Sequence, residues 1–194
     1  MEKLKAALRF GGILSREHIE EVASYFCAKE LQAGMDFLAF GKIANEIGFI
    51  DNGIIRAYSV NEKGEEYTNY FFQENQFIVD LESYYDRKPS THPYQALVSS
   101  RILYVKRQDW EKLTKTIPQL FILTKSLSEA VLLNKLKDND FLNFGTATEK
   151  YLEFMKRYPL LALAVPQQYI ASYLKITPQS LSRIRKKISS KENI

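Results

Sequence analysis

Residues 165–188, VPQQYIASYLKITPQSLSRIRKKI, hold the side chains best suited to chemistry in this 194-residue chain. Pro166 can open a helix whose inner face is Ile170, Ala171 and Leu174, with Ala171 small where a second helix must cross closely. Lys175 and Ile176 form a tight turn, after which Thr177 suits an N-cap and Pro178 the first position of a new helix. In that helix Leu181, Ile184 and Ile188 repeat at i, i+3 and i+7. The opposite face carries Gln179, Ser182, Arg183 and Lys186, with Arg185 nearby. Amide and guanidinium groups match the donor and acceptor edges of bases, and cationic side chains match phosphates. Two short helices at a sharp angle, the second basic outside, describe a helix-turn-helix. A plain helical hairpin with a solvated charged face is the competing reading, and it leaves the cap, turn and basic face as coincidences.

The charge distribution agrees. The chain has 27 Lys+Arg against 23 Asp+Glu, a net charge of +4. Residues 166–194 contain six bases (Lys175, Arg183, Arg185, Lys186, Lys187 and Lys191) and one acid, Glu192, which leaves 21 bases and 22 acids elsewhere. A near-neutral body with a basic end suits contact with nucleic acid.

Other chemistries are poorly provided for. One cysteine, Cys27, excludes a disulfide framework and a thiolate-rich metal site, and reads as a half-buried helix residue. His18 and His92 are too few and too far apart in sequence for the ligand cluster of a metal-dependent jelly-roll enzyme. No metal, cofactor or enzymatic activity is expected. There is no apolar run of the ~18 residues that span a bilayer and no apolar export signal, so no membrane partner and a cytoplasmic location are expected.

The elements that must position the basic helix read as an α+β chain. Ser15 caps a helix over 15–28 whose Ile19, Val22, Ala23 and Phe26 share a face. Between 35 and 105 short strands alternate with turns: 47–50, 54–60 and 67–72, joined at 51–53 and 61–64 as consecutive hairpins, then 94–98 and 102–105. This predicts an antiparallel β-roll or jelly roll with flanking helices, its many tyrosines and phenylalanines serving mainly as core. A helix over 118–137 follows. Its Leu120, Leu123, Leu127, Ala130 and Asn134 have the alternating spacing of a coiled-coil seam, and Leu132, Leu133 and Leu136 widen the apolar surface sideways. A linker over 139–148 and a helix over 148–158, ended by Pro159, lead into the basic segment. The partition is 1–116 for a β-roll, 117–138 for a dimerisation helix and 139–194 for an all-α helix-turn-helix domain.

The sequences YIASYL (169–174) and ITPQSLSRIRK (176–186) resemble the helix-turn-helix of Crp/Fnr-type transcription regulators, the family of the cAMP receptor protein. GIIRAY (53–58), KGEE (63–66) and EKY (149–151) support the likeness, which follows the family's element order over nearly the whole chain. It implies a homodimeric regulator on double-stranded palindromic DNA, with RNA polymerase as a further partner. It also implies that Gln179, Ser182 and Arg183 read bases, while Gln168, Thr177, Ser180, Arg185 and Lys186 meet phosphates. The alternative is a jelly-roll sensor of an unknown small molecule whose DNA binding is secondary.

Four departures from the family matter. Cyclic-nucleotide binders have Gly-Glu-Leu followed by an Arg-Ser/Thr pair; here the matching positions are Val79, Asp80 and Leu81, then Ser90 and Thr91. Without the arginine and with Val79 crowding the phosphate, the resemblance predicts that cAMP and cGMP are not ligands. Lys175 stands where glycine is common, and Pro178 where a base-reading arginine often lies. Finally, residues 189–194 are too few for a two-stranded wing.

Overall fold

Runs of β-branched and aromatic residues between positions 27 and 106 form eight strands in the computed structural model, which describes residues 1–192, with side chains through Ser190. The strands are β1 (Cys27–Leu31), β2 (Asp36–Leu38), β3 (Glu46–Asn52), β4 (Ile55–Val60), β5 (Glu66–Phe72), β6 (Phe77–Ile78), β7 (Tyr94–Ala96) and β8 (Ser100–Lys106). Two four-stranded sheets result, ordered β1-β8-β3-β6 and β2-β7-β4-β5. β8 pairs antiparallel with both β1 (Cys27↔Tyr104) and β3 (Glu46↔Lys106). Together with the helices this is the α+β jelly roll the sequence predicts.

One connection differs from expectation. β4 and β5 are sheet neighbours across the turn at 61–64, but β3 and β4 lie in different sheets, so residues 51–53 form a crossing and not a hairpin. Gly53 permits it: its φ is +113°, and a Cβ there would sit 2.1 Å from Ser100 Oγ. The Asp-Asn-Gly signal marks a change of direction without specifying which strand comes next alongside.

The helices are α1 (Glu2–Leu8), α2 (Arg16–Ser24), α3 (Leu81–Asp86), α4 (Arg107–Thr116), α5 (Gln119–Asn143), α6 (Ala147–Arg157), α7 (Pro159–Ala164), α8 (Gln167–Tyr173) and α9 (Pro178–Glu192). Ser15 caps α2 by accepting from the His18 amide, as expected, but α2 stops at Ser24. Cys27 therefore opens β1, where it is exposed, and is not a half-buried helix residue. Three helices have no counterpart in the sequence reading: α1, α3 and α7, each of six or seven residues and too short for a clear period. Pro159, taken as a terminator, is the first residue of α7. α5 continues six residues past 137, which shortens the expected linker to Phe144–Thr146.

By its internal contacts the chain divides into two compact units, Met1–Ser59 with Tyr70–Ala130, and Val60–Asn69 with the segment from Val131 onward. These boundaries do not coincide with 116 and 138: the division falls inside α5 and groups the tip of the β4–β5 hairpin with the C-terminal helices. In the first unit Phe49, Ile50, Ile78 and Ile102 fill the space between the sheets, and Leu4, Leu8, Val22 and Leu113 close it from the helices. Phe26 and Trp110 meet edge to face with centroids 6.3 Å apart.

α5 corrects the predicted seam. Leu120 and Leu123 are buried in the first unit's own core and Leu127 packs against it, while Ala130 is half-buried and Asn134 exposed. The large apolar side chains that α5 leaves exposed are Phe121, Ile122, Val131, Leu132, Leu133 and Leu136. Most of these lie on the opposite side of the helix by its 100° per-residue rotation. Period alone identifies two apolar stripes; it does not say which one the same chain covers.

Candidate nucleic-acid interface

The turn between α8 and α9 is fixed by hydrogen bonds that close the first helix and open the second. Ile176 N–H donates to Ala171 O (3.0 Å) and Lys175 N–H to Ser172 O (3.1 Å), the paired bonds of a Schellman end. Lys175 occupies its left-handed position with φ 56°, at a cost of about 1 kcal/mol relative to glycine. Its ammonium group donates to Asn143 Oδ1 (2.8 Å). Thr177 then caps α9: its Oγ1 accepts from the Ser180 amide (3.1 Å) and its hydroxyl donates to Ser180 Oγ (2.9 Å). Ile170, Ala171, Leu174, Leu181 and Ile184 are buried, the inner face expected of the pair.

What this leaves outside is a basic surface. Gln179, Arg183, Lys186 and Lys187 are exposed, and Ser182 and Arg185 are half-buried. No carboxylate pairs with Arg183, Arg185, Lys186 or Lys187 among the described residues. Gln168 is exposed on α8, while the Thr177 and Ser180 hydroxyls are engaged with one another at the cap. The side chains of Lys191 and Glu192, and residues 193–194, lie outside the described set.

Sequence reasoning missed the group that organises this unit. Asp138, on α5, is 3% exposed, and its carboxylate accepts from Arg157 Nη1 (3.1 Å), Tyr158 OH (2.5 Å) and Tyr173 OH (3.0 Å). Arg157 is also held by Glu153 (2.6 Å). Three helices beyond α5 therefore contribute to, or flank, one buried carboxylate. At the start of α6, Thr146 and Glu149 form a capping box. The Thr146 N–H and hydroxyl hold the Glu149 carboxyl below its ordinary pKa. The β4–β5 tip belongs to the same unit: Thr68 N–H donates to Ser172 Oγ (2.9 Å) on α8. Nothing local in the sequence marks Asp138 or Ser172.

The degenerate effector motif is split by the fold. Asp80 caps α3 by accepting from the Ser83 amide (3.2 Å), and the buried Ser90 hydroxyl donates to its other oxygen (2.5 Å). Val79 is half-buried, its carbonyl accepting from Tyr94 OH (3.3 Å). Burial raises the Tyr94 pKa, and the charge of Asp80 adds to the shift. Leu81 and Thr91 are exposed and stand apart from this cluster. A cavity of about 350 Å³ lies beside Asp80 and Tyr94, with Lys29, Phe37 and Lys42 on its wall. The buried Arg56 guanidinium, within the GIIRAY segment, is held by Gln95 Oε1 (2.9 Å from Nη2) and stacks 4.1 Å from the Tyr58 ring centroid. Among the described residues no three His, Cys, Asp or Glu side chains gather as a metal site, and no helix is long and apolar enough to cross a membrane.

No family model and no curated protein matches the sequence. The structure, however, is similar to FixK2 from Bradyrhizobium japonicum, with a TM-score of 0.72, 16% identity and 86% of each chain covered. It is also similar to CLP, a c-di-GMP responsive global regulator of Xanthomonas campestris, at TM-score 0.72 and 13% identity over 92% of this chain and 93% of that one. The catabolite activator protein of Thermus thermophilus aligns over 96% of this chain and 88% of its own, at TM-score 0.55 and 18% identity. At such identities the likeness establishes the fold.

Removing one donor from Asp138 and removing the carboxylate itself should differ. Tyr173→Phe is expected to cost about 1–3 kcal/mol of stability, and Asp138→Ala more, because it strands two hydroxyls and a guanidinium together. Urea unfolding followed by a probe in the C-terminal unit checks the order of the two variants.

Proposed function

We propose that this chain, which has the fold of the Crp/Fnr-type regulators, is a sequence-specific DNA-binding transcription regulator and not an enzyme. The observation that carries this reading is a basic face of α9 that no carboxylate neutralises among the described residues, presented from a helix-turn-helix whose turn is closed by Ile176–Ala171 and Lys175–Ser172 bonds and whose second helix is capped by Thr177. The N-terminal half of α9 enters the major groove. Arg183 offers its planar fork to a guanine edge, Gln179 its amide to a base such as adenine, and Ser182 a hydroxyl beside them. Lys186 and Arg185 meet phosphates, with Gln168 from α8 and the Thr177 and Ser180 groups at the helix start. Pro178 confines its position to apolar contact, so the target sequence differs from sites read through an arginine there.

A homodimer places two such helices about 34 Å apart, on half-sites one helical turn apart in a palindrome. Its seam is the exposed face of α5, with Leu132, Leu133 and Leu136 at the centre. RNA polymerase is the further partner and the cytoplasm the location that this role implies. Cyclic nucleotides are not the effectors: the carboxylate at position 80 is used by Ser90 and Ser83 inside the roll, and no arginine stands at 90 or 91. The cavity beside Asp80 and Tyr94 favours a second reading, in which the roll takes another small effector and DNA binding is secondary.

Selection from random double-stranded DNA, with no effector added, should enrich a palindrome; failure to enrich any sequence favours the second reading. On the selected site Arg183→Ala should cost about 1–3 kcal/mol and relax base preference at one position, while Lys186→Ala should weaken all sequences alike. Equal losses on selected and random DNA for Arg183→Ala would remove it from base reading.

Sedimentation checks the seam. Leu132→Asp combined with Leu136→Asp should convert dimer to monomer without unfolding the roll. Leu123→Ala should instead destabilise the roll by about 2–5 kcal/mol and leave the association state unchanged.

For the effector, neither cAMP nor cGMP at sub-millimolar concentration should raise the melting temperature. A saturable rise with either nucleotide would overturn that part of the reading.

A further inference from the structure

Arg107 begins α4 and is 8% exposed, yet its guanidinium is only partly engaged. One Nη donates to the Ala44 carbonyl and the plane lies 4.3 Å from the Tyr84 ring centroid. Its Nε has no hydrogen-bond partner among the described residues. Buried donors of this kind are rare because each unmade bond costs free energy, and a charged group loses more than a neutral one. The hydroxyl of Tyr84, packed against the same guanidinium, is likewise buried without a partner. Burial pushes the Tyr84 pKa up to about 12, so that hydroxyl keeps its proton at neutral pH.

Arg107 faces a cavity of about 320 Å³ that it shares with Ile43, Asn45, Arg87, Gln108 and Glu111. Two guanidinium groups and two carboxamides thus line it against one carboxylate. Arg87 comes from the C-terminal end of α3 and lies 3.5 Å from Glu111, an exposed ion pair of little net worth. Arg107 and Gln108 of the first turn of α4 line this space; the Arg107 amide donates to the Asn45 carbonyl (2.8 Å), and Lys106 makes no capping bond to the turn. A ten-residue helix brings partial positive charge to that end. The cavity does not include Ser90 or Thr91, so it is separate from the positions that correspond to a cyclic-nucleotide motif.

We infer that this cavity is a binding site for a phosphate group, free or as the phosphomonoester of a small molecule. Arg107 and Arg87 grip it from two sides, with the N-terminal end of α4 beside them. A tetrahedral dianion suits this arrangement because two forked guanidinium groups and a helix N-terminus present donors from different directions. Glu111 occupies Arg87 when the site is empty of ligand and is displaced to solvent when phosphate binds. The volume lies at the small end of ligand pockets, enough for phosphate carrying a short organic group.

The test is an amide-resolved NMR titration of the full chain with inorganic phosphate and, separately, with glycerol 3-phosphate, chloride serving to hold ionic strength constant. The expected result is saturable shifts of the Gln108 and Asp109 amides and of the Arg107 Nε–H, with a Kd near or below about 1 mM. Arg87→Gln should weaken binding about tenfold, and Glu111→Gln should tighten it several-fold by removing the internal competitor. Both residues are well exposed, so neither variant endangers the fold. Tighter binding of the ester than of free phosphate assigns the ligand to the organic class, and equal binding assigns it to phosphate itself. Shifts confined to the basic residues of α9, shifts that never saturate, or a Kd indifferent to both substitutions would overturn the inference.

Discussion

Taking a carboxylate out of water costs several kcal/mol unless donors replace the lost solvent, and the C-terminal unit is built around one such group. Asp138 obtains its donors from Arg157 at the end of α6, from Tyr158 between α6 and α7, and from Tyr173 at the end of α8. Those three bonds fix where α6 ends and where α8 ends. The start of α9 follows, because only four residues separate Tyr173 from Pro178. Phe154 reinforces the arrangement by packing its ring against both tyrosines, 5.6 and 5.8 Å between centroids. A carboxylate in this setting has a directional role that an apolar side chain of equal volume lacks. It accepts along defined lone-pair directions, so it selects one packing of three helix ends and not a family of similar ones.

The turn before α9 then converts that fixed end into a fixed surface. A Schellman end requires a left-handed residue, and here the residue is lysine. The conformational cost of about 1 kcal/mol is offset in part by the bond from its ammonium group to Asn143. With Ile176 turned inward and Thr177 satisfying the Ser180 amide in the first turn of α9, the helix cannot rotate about its axis without exposing Leu181 and Ile184. Gln179, Arg183 and Lys186 are consequently presented together. Six of the chain's 27 bases lie in residues 166–194 with a single acid, so positive charge is concentrated in this part of the sequence even though the whole chain carries only +4.

Much of this region was legible in the sequence because its determinants are local. Thr177 and Pro178 mark a helix start by side-chain chemistry alone, and Leu181, Ile184 and Ile188 mark its inner face by spacing alone. The strands were legible for the same reason. What escaped depends on partners distant in sequence. The three bonds to Asp138 span 19 to 35 residues, and the one that ties Thr68 to Ser172 spans 104. Gly53 looked like a hairpin turn because Asp-Asn-Gly is one locally; that β3 and β4 belong to different sheets is decided by β8 and β7, which come forty residues later. The short helices α1, α3 and α7 are held by what they cover, and six or seven residues give no period to detect.

The candidate effector positions show a different limit. Asp80 and Ser90 stand where the resemblance places the partners of a ligand's ribose and phosphate, and sequence alone says only which side chains are not there. The structure supplies what is present instead: the two residues bond to each other, and Asp80 also closes the first turn of α3. The Ser90 hydroxyl also accepts from the His92 amide (3.0 Å), which ties down the loop that follows. A glutamate in place of Asp80 would be one methylene longer and would have to bend away from that hydroxyl. Asp80 and Ser90 therefore act as a matched pair, and substituting either one alone breaks the bond that joins them.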